Sequence, residues 1–487
     1  MFKSKYKEGS LGGELFNGMF YTALAKYSGI VINLLITAVL ARILSPSDFG
    51  IIAIATIVIN FFSTLTSAGI APAIVQNKTL SYEDLTSINT LVIILSFIST
   101  GAFVCLIPLI VSFYDNSSLL SNLLYILSIS ILTAISTIVP NALLMKEKRF
   151  KFIAIRTFLV QVTMGGISII LAYKGFGAYS LLVNPVLGNI ILLIINFRAY
   201  PIGVSFKGGG RNIRKIFSFS IYQMLFNLMY MIYRNVDKIL IGKVFSVQTL
   251  GYYEKSYRLM MLPLDNISNV MGPVLHPVLS NYQSDKDFLW KSYLKILSLL
   301  SEIGCFANVV IYFSSGAIIN IIYGSQWHDA IPYFQILSLS IGVQCMQAPV
   351  GAILQSINRV KGLFFASIII TLLVLSSLGV GLYYSSMIIF CWCLVISFTI
   401  SFGVYQLFLL YFFNKSPVDI IRSISKPFIS NTVLFLLLSN FSNDYLMPMD
   451  FKHLLVFVVA ILFYQGIVYK LGFMEMTKNL IKSTTQK

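Results

Sequence analysis

Leu85-Thr-Ser-Ile-Asn-Thr-Leu-Val-Ile-Ile-Leu-Ser-Phe-Ile-Ser-Thr-Gly-Ala-Phe-Val-Cys-Leu-Ile-Pro-Leu-Ile-Val-Ser-Phe113 runs without one charged side chain. A helix needs about 20 mostly apolar residues to cross a bilayer, so this stretch predicts a transmembrane helix. It does not alternate with the two-residue period of a membrane barrel strand. The rest of the chain reads the same way: of 487 residues, 57% are hydrophobic and 11% charged, too few charges to clothe a soluble protein of this size. Apolar runs punctuated by Gly, Pro, Asn, Asp and Lys clusters give fourteen candidate spans. They are 18–41, 49–76, 85–113, 119–145, 152–173, 177–198, 215–241, 251–280, 291–322, 331–355, 362–383, 386–412, 427–441 and 453–470. The fold expected is an all-α integral membrane protein. The first apolar segment lacks a signal peptide's cleavage pattern and is expected to stay as a helix.

An even number of spans puts both termini on one side, and the side is set by where Lys and Arg collect. Of the 35 basic residues, 26 fall in the N-terminal arm, the tail and the loops or helix ends on that side, while the opposite loops hold only Arg42, Lys174, Lys243 and Lys452. Both ends are therefore predicted to be cytoplasmic. The formal charge of +17 is mostly this orientation signal and predicts no nucleic-acid partner. No outward loop is long enough to fold alone. The five cysteines lie in apolar stretches, and no nucleotide-binding Gly-rich loop, His-Glu-x-x-His or nucleophile elbow occurs, so no catalytic residue, cofactor or metal is predicted.

The chain also repeats itself. Arg42-Ile-Leu-Ser-Pro-Ser-Asp-Phe-Gly50 has a counterpart 201 positions on in Lys243-Val-Phe-Ser-Val-Gln-Thr-Leu-Gly251, and the same offset carries Asp84 onto Asp285. Asn141-Ala-Leu-Leu144 matches Gly351-Ala-Ile-Leu354 at an offset of 210. Six spans per repeat predict two pseudo-symmetric lobes related by an axis along the membrane normal, a common plan of secondary transporters. The division expected is 1–200 for the first lobe, 201–214 for a cytoplasmic linker containing Gly208-Gly209-Gly210, 215–412 for the second lobe, and 413–487 for two further helices and the tail.

Two motifs carry a family likeness. Ala41-Arg42-Ile43-Leu44-Ser45-Pro46-Ser47-Asp48-Phe49-Gly50 is one. The other is Asn235-Val-Asp-Lys-Ile-Leu-Ile-Gly-Lys243, followed by Leu250-Gly-Tyr-Tyr253 and Tyr257-Arg-Leu259. They resemble the polysaccharide flippases of the Wzx and teichuronic-acid exporter type, in the superfamily that includes multidrug extrusion transporters and lipid II flippases. The resemblance covers nearly the whole chain in span number, charge pattern and duplication. It implies a bacterial inner-membrane protein that flips an undecaprenyl-pyrophosphate-linked oligosaccharide for O-antigen, capsule or exopolysaccharide synthesis. Partners implied are membrane lipids and polysaccharide polymerase and chain-length proteins, around a monomeric transport unit. The alternatives are a multidrug or cation antiporter of the same superfamily and a membrane-embedded polysaccharide polymerase or ligase.

Charged side chains within spans are costly unless they face protein or water, which makes each a candidate. The first repeat offers chiefly Lys26. The second offers Arg234, Asp237, Lys238, Glu254, Lys255, Arg258, Asp265 and Glu302. Arg234, Asp237 and Lys238 share one helix face at i, i+3 and i+4, and Glu254, Arg258 and Asp265 fall in one narrow stripe at i, i+4 and i+11. Lys26, Arg234, Lys238 and Arg258 are predicted to make a cationic cavity for a pyrophosphate, because the guanidinium fork matches phosphate oxygens. Asp237, Glu254, Asp265 and Glu302 are the candidates for ion coupling, with closed structural ion pairs as the competing reading. Lys255 is expected to snorkel to the interface.

Overall fold

Short polar side chains at the ends of the apolar runs decide where each helix begins. The computed structural model describes residues 11–67, 70–76, 80–205, 231, 234–280, 282–283, 285–356, 360–441, 459, 464, 466, 468 and 470. Ser81 Oγ accepts from Asp84 N at 3.1 Å while Ser81 N donates to Asp84 Oδ2 at 3.0 Å, a reciprocal cap that opens α4 (Tyr82–Phe113). Ser45 and Asp48 make the same exchange, at 3.2 and 3.0 Å, at the start of α2 (Pro46–Ser67). Ser117 caps α5 (Ser118–Ser136), and Asp285 caps α11 (Lys286–Ile322) by accepting from Phe288 N at 2.9 Å.

Every regular element among the described residues is helical. The remaining α-helices are α1 (Leu11–Ile43), α3 (Ile70–Gln76), α6 (Ile138–Lys146), α7 (Phe150–Tyr173), α8 (Asn189–Ala199), α9 (234–244), α10 (Val247–Ser280), α12 (Ile331–Ser338), α13 (Ile341–Ser356), α14 (Val360–Tyr383), α15 (Met387–Phe413) and α16 (Pro417–Phe441). Among the described residues nine stretches are long and apolar enough to cross a membrane. The all-α membrane fold expected from hydropathy is the fold observed. The last expected span, 453–470, lies outside the described residues apart from isolated positions, as does most of 215–241.

The duplication is visible in helix ends. α1 stops at Ile43 and α9 at residue 244; α2 opens at Pro46 and α10 at Val247, in both cases 201 positions apart. α7 and α14 have 24 residues each and run Phe150–Tyr173 and Val360–Tyr383, 210 positions apart at both ends. Two spans that hydropathy reads as continuous are broken. The run 119–145 divides at Thr137, where Pro140 can offer no N–H to the carbonyl of residue 136. The run 331–355 divides at Leu339 and Ser340, and there Asn308 of α11 substitutes for the helix: its Nδ2 donates to Leu339 O at 2.9 Å and its Oδ1 accepts from Gly342 N at 2.7 Å.

The chain divides into two compact units, Met1–Gln248 and Thr249–Lys487. In the first, α1 lies on α7 so closely that Gly165 admits the Ile36 side chain, and Gln161 Nε2 donates to Gly29 O at 2.9 Å. α5 buries Leu123, Leu124, Leu127 and Ile131 along its stripe. α4 packs on it with a Ser96–Ser136 hydroxyl contact of 3.0 Å. After α8 the chain crosses the start of α4 as an extended strap, with Asn89 Nδ2 donating to Gly203 O at 3.2 Å and Ser205 N to Thr90 Oγ1 at 2.8 Å. In the second unit α11 is the organising helix, against α12, α13 and α16. Leu289, Trp290, Tyr293 and Leu297 form its core with Val350, Ile353, Leu409 and Phe413. The Tyr293 hydroxyl inside that core donates to Gln406 Oε1 at 2.6 Å, so the buried phenol keeps a partner.

Candidate functional site

The charged residues expected to act fall on α9 and α10. On α9, Asp237 is 3% exposed, Lys238 is 9% exposed and Arg234 is half-buried. Their one-turn spacing follows from an unbroken helix over 234–244, and all three are engaged in interactions. The C-terminal end of this helix is held to the end of α4 by three consecutive residues, Phe113, Tyr114 and Asp115. Lys243 Nζ lies 5.8 Å from the Phe113 ring centroid, the Tyr114 hydroxyl donates to Ile239 O at 2.9 Å, and Lys243 Nζ meets Asp115 Oδ1 at 2.5 Å. Asp115 and Asn116 both take positive φ of 56°, a left-handed pair of non-glycine residues that turns the Asp115 carboxylate out of the α4 line.

α10 has two different faces. Tyr253, Ser256, Tyr257 and Met260 are buried in the second unit, where Ser256 Oγ donates to Ala330 O at 2.9 Å. On the other side Arg258 and Asp265 are exposed and Glu254 is half-buried, the stripe that the 3.6-residue period predicts. Glu302 sits on α11, 4% exposed. Lys255 differs from the expectation of snorkelling: it is 5% exposed, with its ammonium 6.0 Å from the Tyr323 ring centroid. The Tyr323 ring offers the cation an electron-rich face in place of water. Lys26 lies on α1, but its side chain is outside the described ones. Of the expected cations, a half-buried Arg234 and a buried Lys238 thus lie on α9, and an exposed Arg258 lies on α10.

Arg156, on α7, was read in the sequence only as part of the cytoplasmic excess of positive charge. It is 7% exposed. Nη2 donates to Asn141 Oδ1 at 2.5 Å, while Nε and Nη1 meet no hydrogen-bond acceptor. Arg149 lies on the same Phe152 ring, at 4.9 Å against 5.8 Å for Arg156, and donates from Nη1 to Ala199 O at 3.1 Å. Tyr200, just past α8, has its phenol held above the usual tyrosine range by burial and then by the carboxylate of Glu147. The signal that could have found Arg156 is the repeat: 210 positions on stands Ala366, fully buried, and Asn141 faces Gly351.

A family profile described as "Polysaccharide biosynthesis protein" matches residues 39–332, more than half of the chain. The chain belongs to this family. Its relatives in the family include an uncharacterized membrane protein in the cps region of Klebsiella pneumoniae, 26% identical over 86% of this chain and 87% of that one. The lipopolysaccharide biosynthesis protein WzxC of Escherichia coli is 23% identical over 76% of each chain. The teichuronic acid biosynthesis protein TuaB of Bacillus subtilis is 21% identical over 86% and 87%. Among solved structures, the polysaccharide biosynthesis fold seen here is similar to that of the lipid II flippase MurJ in an inward closed conformation. The TM-score is 0.75 and the identity 15%, over 92% of this chain and 98% of that one. An inward-facing multidrug transporter of the MATE family follows, with a TM-score of 0.62, 14% identity and coverage of 79% and 94%.

Proposed function

We propose that this polysaccharide biosynthesis protein translocates an undecaprenyl-pyrophosphate-linked oligosaccharide from the cytoplasmic to the outer leaflet of the bacterial inner membrane, by alternating access. The observation that carries the reading is the family match on a chain whose fold follows that of a lipid II flippase over 92% of its length. The bias of Lys and Arg toward one set of loops supports cytoplasmic termini, and the internal repeat supports two lobes, 1–200 and 215–412, joined by 201–214. In this reading Lys26, Arg234, Lys238 and Arg258 attract the pyrophosphate. Guanidinium forks hold its oxygens where little water competes for them. Asp237, Glu254, Asp265 and Glu302 carry the coupling ion or balance the cations. The first, seventh and eighth expected spans hold more Lys and Arg than carboxylates, which suits an anionic cargo better than the organic cations of a drug exporter. Transport needs no covalent step, in keeping with short loops that carry no nucleophile or metal motif. A polymerase and a chain-length protein are the partners that would consume the flipped unit.

The test is deletion of the gene in its native host followed by extraction of the lipid-linked intermediates. Their sidedness is read with a membrane-impermeant sugar-modifying reagent. Complete repeat units trapped on the cytoplasmic leaflet, and released by the intact gene, are the expected result. Repeat units already outside but unpolymerised would replace this reading with that of a polymerase, and an unchanged lipid pool would refute both.

A further inference from the structure

Arginines in a bilayer-embedded unit are expensive to bury unless an anion or a full set of acceptors meets them. Arg156 has one acceptor, Asn141, and two nitrogens without any, in a side chain more than nine-tenths buried. A second guanidinium, Arg149, lies on the same Phe152 ring, which adds positive charge near Arg156 without adding an acceptor. Glu147, the acidic residue nearest in sequence, is exposed and lies beside the Tyr200 phenol. Lys146, Lys148 and Lys151 add to the positive potential of the same turn. One turn along α7 the surface becomes apolar: Ile155, Leu159 and Val162 are exposed at i, i+4 and i+7, a stripe that would accommodate an acyl or prenyl chain running away from the arginines.

We propose that Arg156, steadied by Asn141 and joined by Arg149, binds the phosphate of a lipid at the end of the first unit. The site uses none of the charged residues of α9 and α10. It rests on the same topology, which places the turn between α6 and α7 at the cytoplasmic surface, but not on translocation itself. The phosphate has two sources, an anionic phospholipid headgroup and the pyrophosphate of a polyprenyl carrier, and both present a charged head on an apolar chain. The site exists once, because the second repeat places Gly351 and Ala366 where Asn141 and Arg156 stand.

The experiment uses the whole protein in phosphate-free maltoside micelles. Native mass spectrometry and thermal unfolding are recorded with added phosphatidylglycerol, with undecaprenyl pyrophosphate, and with a neutral diacylglycerol as control. Wild type is expected to bind and be stabilised by at least one of the two phosphate lipids and not by diacylglycerol. Arg156→Gln should weaken that binding by about tenfold or more, the loss expected for charge-assisted hydrogen bonds. Arg156→Lys should fall between, keeping the charge without the fork. Loss of phosphatidylglycerol binding alone identifies a headgroup site, loss of the pyrophosphate alone identifies a substrate-entry site, and loss of both a shared one. A purely structural arginine would lower the unfolding temperature with and without lipid while leaving the lipid-induced shift intact, and that overturns the proposal. If Arg156→Gln fails to fold, Arg149→Gln and Asn141→Ala decide: unchanged lipid shifts in both overturn it. Failure of the sidedness assay with lipid binding intact would sink translocation and leave this site standing.

Discussion

Gly304 and Gly342 show what a single hydrogen atom in place of a methyl does for a helix crossing. A Cβ built on Gly304 would fall 2.9 Å from Gly342 Cα and 3.0 Å from Cys345 Cβ, atoms of backbone and first side-chain carbon that have no rotamer to yield. Gly304→Ala is therefore expected to cost about 1–3 kcal/mol by overpacking. Gly403→Ala, with nothing within 4 Å on α15, should be neutral or slightly stabilising, and thermal unfolding in detergent compares the two. At Arg258, exposed on α10, Arg258→Glu is expected to abolish surface polysaccharide while protein level stays normal. Immunoblotting beside glycan staining checks it, and normal polysaccharide would remove Arg258 from the cargo path. Arg234 and Arg258 were legible because a charge inside an apolar run stands out. Arg156 was not, because it lies six residues past the start of its helix, where the orientation rule already explains a positive charge. Whether a guanidinium near a helix end snorkels or is enclosed depends on the neighbours the fold supplies, here α6 and Phe152.

Among the helices, the ends were legible and the interruptions were not. The offset between repeats carries the α2 start onto the α10 start and the whole of α7 onto α14, because caps and turns are short local signals. The breaks at Thr137 and at Leu339–Ser340 lie inside unbroken apolar sequence. One arises from a proline three residues ahead, the other from Asn308 on a different helix, and hydropathy registers neither. Asp84 and Asp285 show a finer limit. The sequence aligns them, yet Asp84 sits in the third helical position of α4 while Asp285 is itself the cap of α11. Ser81→Ala should cost about 1 kcal/mol by leaving the first turn of α4 uncapped, read as a lowered unfolding midpoint. At the other end of α4, Asp115→Lys is expected to loosen α9, and the double variant Asp115→Lys with Lys243→Asp to restore it. The coupling should stay within about 1 kcal/mol because the Asp115 side chain is 82% exposed. Tyr114→Phe should cost more than either single charge change, since Tyr114 is buried and loses its hydroxyl bond to Ile239 O. Disulfide trapping of α4 to α9 would compare all four.

For the molecule as a whole, the charge bias makes a topological prediction that does not depend on cargo. A phosphatase reporter, active only outside the cytoplasm, is expected to be active when fused after Asn116 and inactive when fused after Lys148 or at the C-terminus. Activity at Lys148 would invert the topology and move the Arg149–Arg156 cluster to the opposite face. Composition and hydropathy sufficed for the membrane class because solvent preference is summed over hundreds of residues. The pairing of particular charges is a local matter of which helices meet. The strap after α8 has a further consequence for anyone who wishes to dissect or label the protein. Because Gly203 and Ser205 are stitched to Asn89 and Thr90, residues 201–205 pack as part of the first unit. A split version, or a fluorescent insertion, should keep 201–205 with the first half, so that each fragment leaves the ribosome with its own stitching intact.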